Sequence, residues 1–160
     1  MSENTEFEMP TPDPALKRLD FLVGSWKSLG ATVAGPMGPA TEIAGEEAFE
    51  WMEGGFFLIH RWTSTFEVAG TEVADVGYEF FDYDPATGRY RTHFFNSLGP
   101  YDDAGSKYHG GFEQDAFTVT GPARIVRTLN PDGTITVDSA VPIGDDQWAP
   151  MMTYTLTKID

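Results

Sequence analysis

The sequence predicts an all-β protein: an up-and-down antiparallel β-barrel of about eight to ten strands, with a short N-terminal helix capping one end. The composition is the first reason, because 12 Phe, 6 Tyr and 4 Trp favour strands, while 17 Gly and 11 Pro supply turns. The second reason is a succession of segments with period-two patterning, joined by short turn sequences. So many strands in one small domain must curl or close, and a meander closes most simply into a barrel. A sandwich is the competing architecture, but its Greek-key connections call for longer crossovers.

The first 12 residues are polar and acidic, and we predict them to be a disordered lead-in to a single domain over residues 13–160. Asp13 is placed to act as the N-cap of a helix with Pro14 at its first position. Leu16 and Leu19 give this segment one apolar face, and Gly24 ends it. The sequence therefore predicts one or two helical turns over residues 14–21.

Strand patterns follow for the rest of the chain. Turn sequences separate them, including Gly54-Gly55, the Asp84 to Gly88 segment and the Asn130 to Gly133 segment. The predicted strands cover residues 26–33, 42–52, 56–68, 72–83, 89–98, 107–112, one or two strands within 116–129, and then 134–141 and 147–159.

Charge and composition exclude several classes of function. With 10 Lys and Arg against 25 Asp and Glu, the net charge is −15, which disfavours binding to nucleic acid or to anionic lipid. The absence of cysteine excludes disulfides, thiolate metal sites and cysteine nucleophiles. Because no apolar run is long enough for a membrane span and no signal-peptide core is evident, we expect a cytoplasmic protein.

Side chains alternate across a strand, so each strand can be divided into two faces. On the fourth predicted strand, the bulkier face is assigned to the interior, which leaves Asp75 and Glu79 outside. The same reasoning on the other strands gives an aromatic inner surface with isolated polar groups. The predicted ligand-binding residues are Phe49, Trp51, Leu58, His60, Trp62, Tyr78, Phe80, Phe94, Asn96, Met152 and Tyr154.

This inner surface has two interpretations. It is either a solid core, which a barrel of about eight strands can fill with its own side chains, or a cavity for an apolar molecule held by a few polar groups. His60 is the most interesting polar residue on it. Without an acidic partner, burial would lower its pKa and leave a neutral imidazole able to transfer a proton. The plainer interpretation is a core histidine bonded to a neighbouring hydroxyl.

A metal site is not expected. His60, His93 and His109 lie on three separate predicted strands, and only His60 has a well-supported inward phase. Three-histidine sites require all three side chains to converge. There is also no Gly-x-Ser-x-Gly nucleophile elbow and no phosphate-binding loop with its lysine.

Three sequence motifs resemble a known family. Leu19 to Trp26 resembles the opening of the lipocalin-like, or calycin, barrels, in which a short helix precedes Gly-x-Trp. The hairpin from Trp51 to Leu58 matches a W-x-x-G-G-x-x-L pattern of an uncharacterised bacterial lipocalin-like family, and Gly77-Tyr78 resembles that family's fourth strand. The family's D-S-x-G element reads Asn96-Ser97-Leu98-Gly99 here, a departure at its first position.

The resemblance implies a barrel distantly related to the fatty-acid-binding proteins and the nitrobindins. The former hold ligands inside the barrel, often with inward Arg and Tyr, for which Arg127 and Tyr154 are the candidates here. Solvent exposure is the plainer expectation for Arg127. Nitrobindin-like haem ligation uses a histidine near the C-terminus, and residues 134–160 contain none. No haem or other cofactor is therefore expected.

The leading functional hypothesis is non-enzymatic binding of a small, largely apolar molecule inside the barrel. The alternative is a cofactor-independent cyclase or isomerase that uses the same aromatic cavity, with His60 or a buried tyrosine as the proton-transfer group. A third hypothesis is a structural module that forms a homodimer through hairpin edges and exposed aromatic residues such as Tyr101 and Tyr108.

Overall fold

Ten antiparallel strands form one closed barrel in the computed structural model, which describes residues 6–36 and 38–159. Each strand pairs with its neighbours in sequence, and the last strand pairs with the first. The strands are β1 (Gly24–Thr32), β2 (Glu42–Trp51), β3 (Leu58–Val68), β4 (Thr71–Asp84), β5 (Arg89–Asn96), β6 (Lys107–Glu113), β7 (Ala116–Thr120), β8 (Arg124–Leu129), β9 (Ile135–Gly144) and β10 (Gln147–Lys158). The predicted all-β barrel is confirmed.

Closure of the sheet depends on β1, which pairs with β2 on one side and β10 on the other. Trp26 lies opposite Glu47 of β2 and opposite Lys158 of β10. This pairing leaves no long exposed sheet edge, which is the physical reason for closing a sheet of this length. Residues 6–12 of the predicted lead-in form neither helix nor strand, and residues 1–5 lie outside the described residues, as does Asp160.

The predicted N-terminal helix is a 3₁₀-helix over Pro14–Leu22 that covers one end of the barrel. The Asp13 side chain accepts a hydrogen bond from the Ala15 amide at 2.9 Å, as expected of an N-cap. Leu16, Leu19 and Leu22 are all buried because a 3₁₀-helix has three residues per turn and so aligns residues three apart. Burial of this leucine face attaches the helix to the barrel.

The half of the barrel beneath this helix is a solid core. It is built from large apolar side chains near the strand ends on that side, among them Trp26, Phe49, Leu58, Phe81 and Phe117. The Trp26 indole also donates a hydrogen bond to the Leu22 carbonyl at 2.8 Å, which joins β1 to the end of the helix. The other half of the barrel holds the cavity described below.

The faces of β4 are the reverse of those predicted. Glu79 and Phe81 face the interior, whereas Tyr78 and Phe80 lie outside, and Tyr78 is 48 % exposed. The assignment of Tyr78 and Phe80 to the interior was therefore wrong. The assumption that the bulkier face lies inside failed on β4 for two reasons. Gly77, between Asp75 and Glu79 on the inner face, provides space for the Trp62 ring. Glu79 also finds ionic partners inside the barrel.

Two smaller features also escaped prediction. A bulge between Pro150 and Met152 interrupts the alternation of β10, so that Met151 and Met152 both reach the interior. A single-turn helix, α1 (Asp103–Ser106), precedes β6.

Tyr108 is buried rather than exposed, which leaves only Tyr101, 44 % exposed, of the two aromatic residues expected to pair with a second copy.

In the part of the chain that the structure describes, no helix has both the length and the apolar character needed to cross a membrane.

Candidate functional site

His60 lies buried between two carboxylates contributed by the neighbouring strands. Its Nε2 is 2.8 Å from Glu47 Oε2, and its Nδ1 is 3.1 Å from Glu79 Oε1. The register explains this arrangement, because Glu79 on β4 is directly opposite His60 on β3, and Glu47 on β2 is opposite Trp62, two residues along. The Phe49 ring stacks on the imidazole at a centroid distance of 4.0 Å.

The two carboxylates fix the protonation state of His60. An ionised carboxylate only accepts hydrogen bonds, so both contacts are hydrogen bonds only when both ring nitrogens carry a proton. Burial by itself would lower the pKa of His60, but hydrogen bonds and charge interactions with Glu47 and Glu79 outweigh it and raise the pKa above 6.5. The two carboxylates therefore favour the imidazolium form of His60 over the neutral imidazole or hydroxyl-bonded core histidine that the sequence suggested.

Arg127 on β8 completes this charged cluster from across the barrel. Its Nη2 donates to Glu79 Oε1 at 3.0 Å, and the residue is only 2 % exposed. Burial alone would raise the pKa of Glu79, but the charge of Arg127 and the His60 hydrogen bond lower it to about 2. Glu47, His60, Glu79 and Arg127, which we call the charged cluster, thus carry two negative and two positive charges and sum to zero.

The charged cluster should give the protein a defined window of pH stability. The raised pKa of His60 means that its ion pairs contribute fully below its ordinary value of 6.5 and are lost as pH rises through the higher value in the folded state. The lowered pKa of Glu79 means that its pairs contribute fully above 4.5 and are lost as pH falls towards about 2. We expect this contribution to be greatest between these limits, in urea unfolding measured across pH.

Replacing His60 by glutamine should remove the part of this pH dependence that lies above 6.5. The matched control is His93→Gln, because His93 lies on the outer face of β5 and contacts none of the cluster. The His93→Gln variant should keep the wild-type dependence of the free energy of unfolding on pH. Identical alkaline profiles for wild type and His60→Gln would show that His60 is not the charged group described here.

The charged cluster borders a cavity of about 190 Å³ in the half of the barrel away from the N-terminal helix. Cavities of about 150 Å³ hold a benzene molecule, so this space suits a guest of one small ring or a short chain. Its apolar wall comes from β2, β3, β5, β8 and β10 and from the turn between β7 and β8. The apolar lining residues are Ile43, Trp62, Phe66, Phe94, Ala123, Ile125, Met151 and Met152.

Several buried polar atoms at the cavity lack a hydrogen-bond partner among the described residues. Two of them are Nε and Nη1 of Arg127, and a third is Oδ1 of Asp75. Ser28 Oγ also lacks a hydrogen-bond partner among the described residues. Because buried polar groups are almost always hydrogen-bonded in folded proteins, these atoms mark where a polar group of a guest would be favoured.

The ionisable lining residues outside the charged cluster have perturbed pKa values. Burial, and then the negative charge of Glu79, raises the pKa of Tyr108 to about 12. Burial and Glu47 raise the pKa of Tyr154 well above its usual value. Burial is also the main cause of a raised pKa at Asp75, which Trp62 and Asn96 partly oppose. Both tyrosines are therefore neutral hydroxyl groups at any physiological pH.

The structure places the predicted site residues in three groups. Six line the cavity: His60, Trp62, Phe94, Asn96, Met152 and Tyr154. Phe49 and Leu58 lie in the solid core, and Trp51 packs towards the N-terminal helix, where its indole donates to Asp20 at 2.7 Å. Tyr78 and Phe80 are on the outer surface, for the reason given above.

Sequence reasoning missed most of the charged cluster. Glu47 shares the inward phase of Phe49 and Trp51, so the alternation on β2 already contained the signal that it faces inward. Arg127 shares the phase of Ile125, and the expectation that it faces solvent was wrong. Glu79 was assigned to the outer face through the error on β4. Glu79 and Arg127 were both expected to avoid an interior that in fact holds their partners.

The three histidines do not converge. His60 is inside the barrel, while His93 and His109 border an outer groove between β5 and β6. Among residues 6–36 and 38–159, no group of three or more histidine, aspartate or glutamate side chains is arranged to hold a metal ion.

Fold and site together define a closed antiparallel barrel with a charged cluster and a small cavity inside it. The model of a family described as a protein of unknown function (DUF1579) matches residues 11–158, and the chain belongs to this family. A comparison with curated proteins finds no match. The barrel fits the lipocalin-like resemblance, while the relation to fatty-acid-binding proteins and nitrobindins stays a prediction.

Proposed function

We propose that this protein binds a small, largely apolar molecule in the barrel interior. The observation that carries the proposal is the cavity of about 190 Å³, whose wall is mostly apolar and whose base presents unpartnered donors of a buried arginine. Apolar walls with a few well-placed polar groups are typical of small-molecule sites.

The charged cluster supports binding because it positions Arg127 before any guest arrives. The bond to Glu79 fixes the guanidinium, and Glu79 is itself held by His60. A donor that is already fixed loses little conformational entropy when a ligand binds to it. The cluster also sums to zero charge, so it holds no excess charge that would favour an ionic guest.

Proton transfer, the alternative considered from the sequence, is less well supported. Both ring nitrogens of His60 are already bonded to carboxylates, which leaves neither free to reach a substrate. The pKa of Tyr108 is raised to about 12 and that of Tyr154 well above its usual value, so both lie far from the range in which a general acid or base is effective. The geometry therefore favours binding over a cyclase or isomerase reaction.

Toluene is a suitable probe for this proposal, because it is uncharged and slightly larger than benzene. We expect saturable binding, followed by NMR through the shift of the Trp62 indole N–H, since Trp62 lines the cavity. Ser139→Leu should weaken this binding at least tenfold, because Ser139 is a buried lining residue and the added carbons would occupy the space of the guest.

The control is Thr157→Leu, which adds the same side chain to the exposed face of β10 and should leave the affinity unchanged. Thermal melting of both variants verifies that they fold. An absence of toluene binding to the wild-type protein, or equal affinity in wild type and folded Ser139→Leu, would contradict the proposal.

A further inference from the structure

We infer that the guest is an uncharged molecule that carries a carbonyl-type acceptor for Arg127 and, at its other end, an N–H or O–H donor for Asp75. A small amide or lactam with a hydroxyl group belongs to this class, and a carboxylic acid does not. This inference rests on the proposed function and defines the ligand class of the same cavity.

Arg127 defines the acceptor end. Its Nη2 is bonded to Glu79, whereas Nε and Nη1 have no partner in the described part of the chain, although the residue is almost completely buried. A guanidinium cannot lose its proton in a protein, so these N–H groups are permanent donors. A carbonyl oxygen in the cavity would satisfy them, and a purely hydrocarbon guest would leave them without partners.

Charge balance determines that this acceptor is neutral. Glu79 already neutralises Arg127, and Glu47 is matched by His60. Asp75 is the remaining carboxylic acid among the described lining residues, and it adds a third negative charge against two positive ones. A carboxylate guest would bring a fourth negative charge into a buried site without a cation to match it, which is costly at low dielectric. An amide carbonyl accepts the same hydrogen bonds without this cost.

Asp75 defines the donor end. Trp62 and Asn96 supply side-chain hydrogen bonds to its carboxyl group, but its Oδ1 atom is buried and unpartnered among the described residues. Asp75 precedes Glu79 by four residues on the inner face of β4, which at about 3.3 Å per residue places the two backbone positions roughly 13 Å apart along the strand. Arg127 contacts Glu79, and Asp75 lies at the other end of this part of β4. The acceptor and donor groups of the guest therefore belong at opposite ends of the molecule.

Three related compounds test the ligand class: 4-hydroxybenzamide, 4-hydroxybenzoate and benzamide, titrated at pH 7 by calorimetry. We expect 4-hydroxybenzamide to bind at least tenfold more tightly than 4-hydroxybenzoate, which has the same shape but is an anion. We also expect it to bind several-fold more tightly than benzamide, which lacks the donor for Asp75. Equal or tighter binding of the benzoate would overturn the inference.

Two variants test the two contacts. Arg127→Lys keeps the positive charge beside Glu79 but removes Nε and Nη1, so it should weaken the binding of benzamide at least tenfold. Thermal melting verifies that the variant folds. Asp75→Ala should abolish the advantage of 4-hydroxybenzamide over benzamide. The control is Asp138→Ala, which removes one negative charge from the exposed face of β9 and should preserve that advantage. An advantage that survives in Asp75→Ala would overturn the donor contact.

The outcomes separate this inference from the proposed function. If toluene binds but the amide has no advantage over the benzoate, or no polar probe binds at millimolar concentration, the ligand class is wrong and the apolar site remains. If toluene itself does not bind to the wild-type protein, the proposed function fails, and this inference fails with it.

Discussion

Replacing Arg127 by methionine should lower the free energy of unfolding by about 3–5 kcal/mol, because it leaves a buried negative charge without its cationic partner. Arg127 and Glu79 are almost completely buried and are bonded at 3.0 Å. Methionine retains most of the length and apolar stem of arginine, so the loss reports on charge more than on packing. Urea unfolding near pH 6 is the appropriate measurement.

The control for this variant is Arg124→Met on the same strand. Arg124 lies 5.7 Å from the Trp148 ring centroid at a partly exposed position, and its loss should cost about 1 kcal/mol or less. The double variant Glu79→Gln/Arg127→Met should be less destabilised than the sum of its two single variants, since removal of both charges leaves neither unpaired. A loss of less than about 1 kcal/mol in Arg127→Met would show that this pair is not the buried interaction we describe.

Replacing Trp26 by alanine should also cost about 3–5 kcal/mol, which is typical of truncating a buried aromatic side chain. Trp26 is 2 % exposed, packs in the core beneath the N-terminal helix and donates its indole N–H to the Leu22 carbonyl. It does not line the cavity, so toluene affinity should change little in the variant as long as it folds. Thermal or urea unfolding measures the loss of stability, and the NMR titration measures the toluene affinity.

Trp26→Phe separates packing from hydrogen bonding at this position. It keeps an aromatic ring and loses the hydrogen bond to the Leu22 carbonyl, so its free energy of unfolding should fall less than that of Trp26→Ala. Most of this decrease should come from the lost hydrogen bond, worth roughly 0.5–1.5 kcal/mol, and from the smaller volume of the phenyl ring. A Trp26→Ala protein with an unchanged melting temperature would mean that the helix-covered core does not depend on this residue. In that case the resemblance of the Gly-x-Trp segment to lipocalin-like barrels would be accidental.

Local sequence signals were sufficient for most of the fold. The N-cap Asp13 and the adjacent proline gave the start of the N-terminal helix, and glycine turns gave the strand boundaries to within about two residues for most strands. Gly54 and Gly55 have φ values of 99° and 79°, a conformation that other residues rarely adopt, which explains why this turn was evident in the sequence. Such signals depend only on a few neighbouring residues.

Face assignment succeeded where bulk and polarity agreed and failed where they did not. On β3 and β5 the inward residues His60, Trp62, Phe94 and Asn96 were identified correctly. On β4 both faces carry aromatic residues, so bulk favoured Tyr78 and Phe80, and the true inner face contains Glu79. The bulge in β10 adds a shift in phase that no alternation rule anticipates.

The sequence by itself therefore determined the all-β class, the helix at one end, the strand order and a minority of the apolar cavity wall, namely Trp62, Phe94 and Met152. Only the tertiary structure decided that His60 lies between two carboxylates, that Arg127 and Glu79 are buried, and that two nitrogens of Arg127 have no hydrogen-bond partner among the described residues. The physical reason is the distance along the chain between the partners. Arg127 and Glu79 are 48 residues apart in sequence, and a buried charge is stable only where closure of the barrel brings its partner within hydrogen-bond reach.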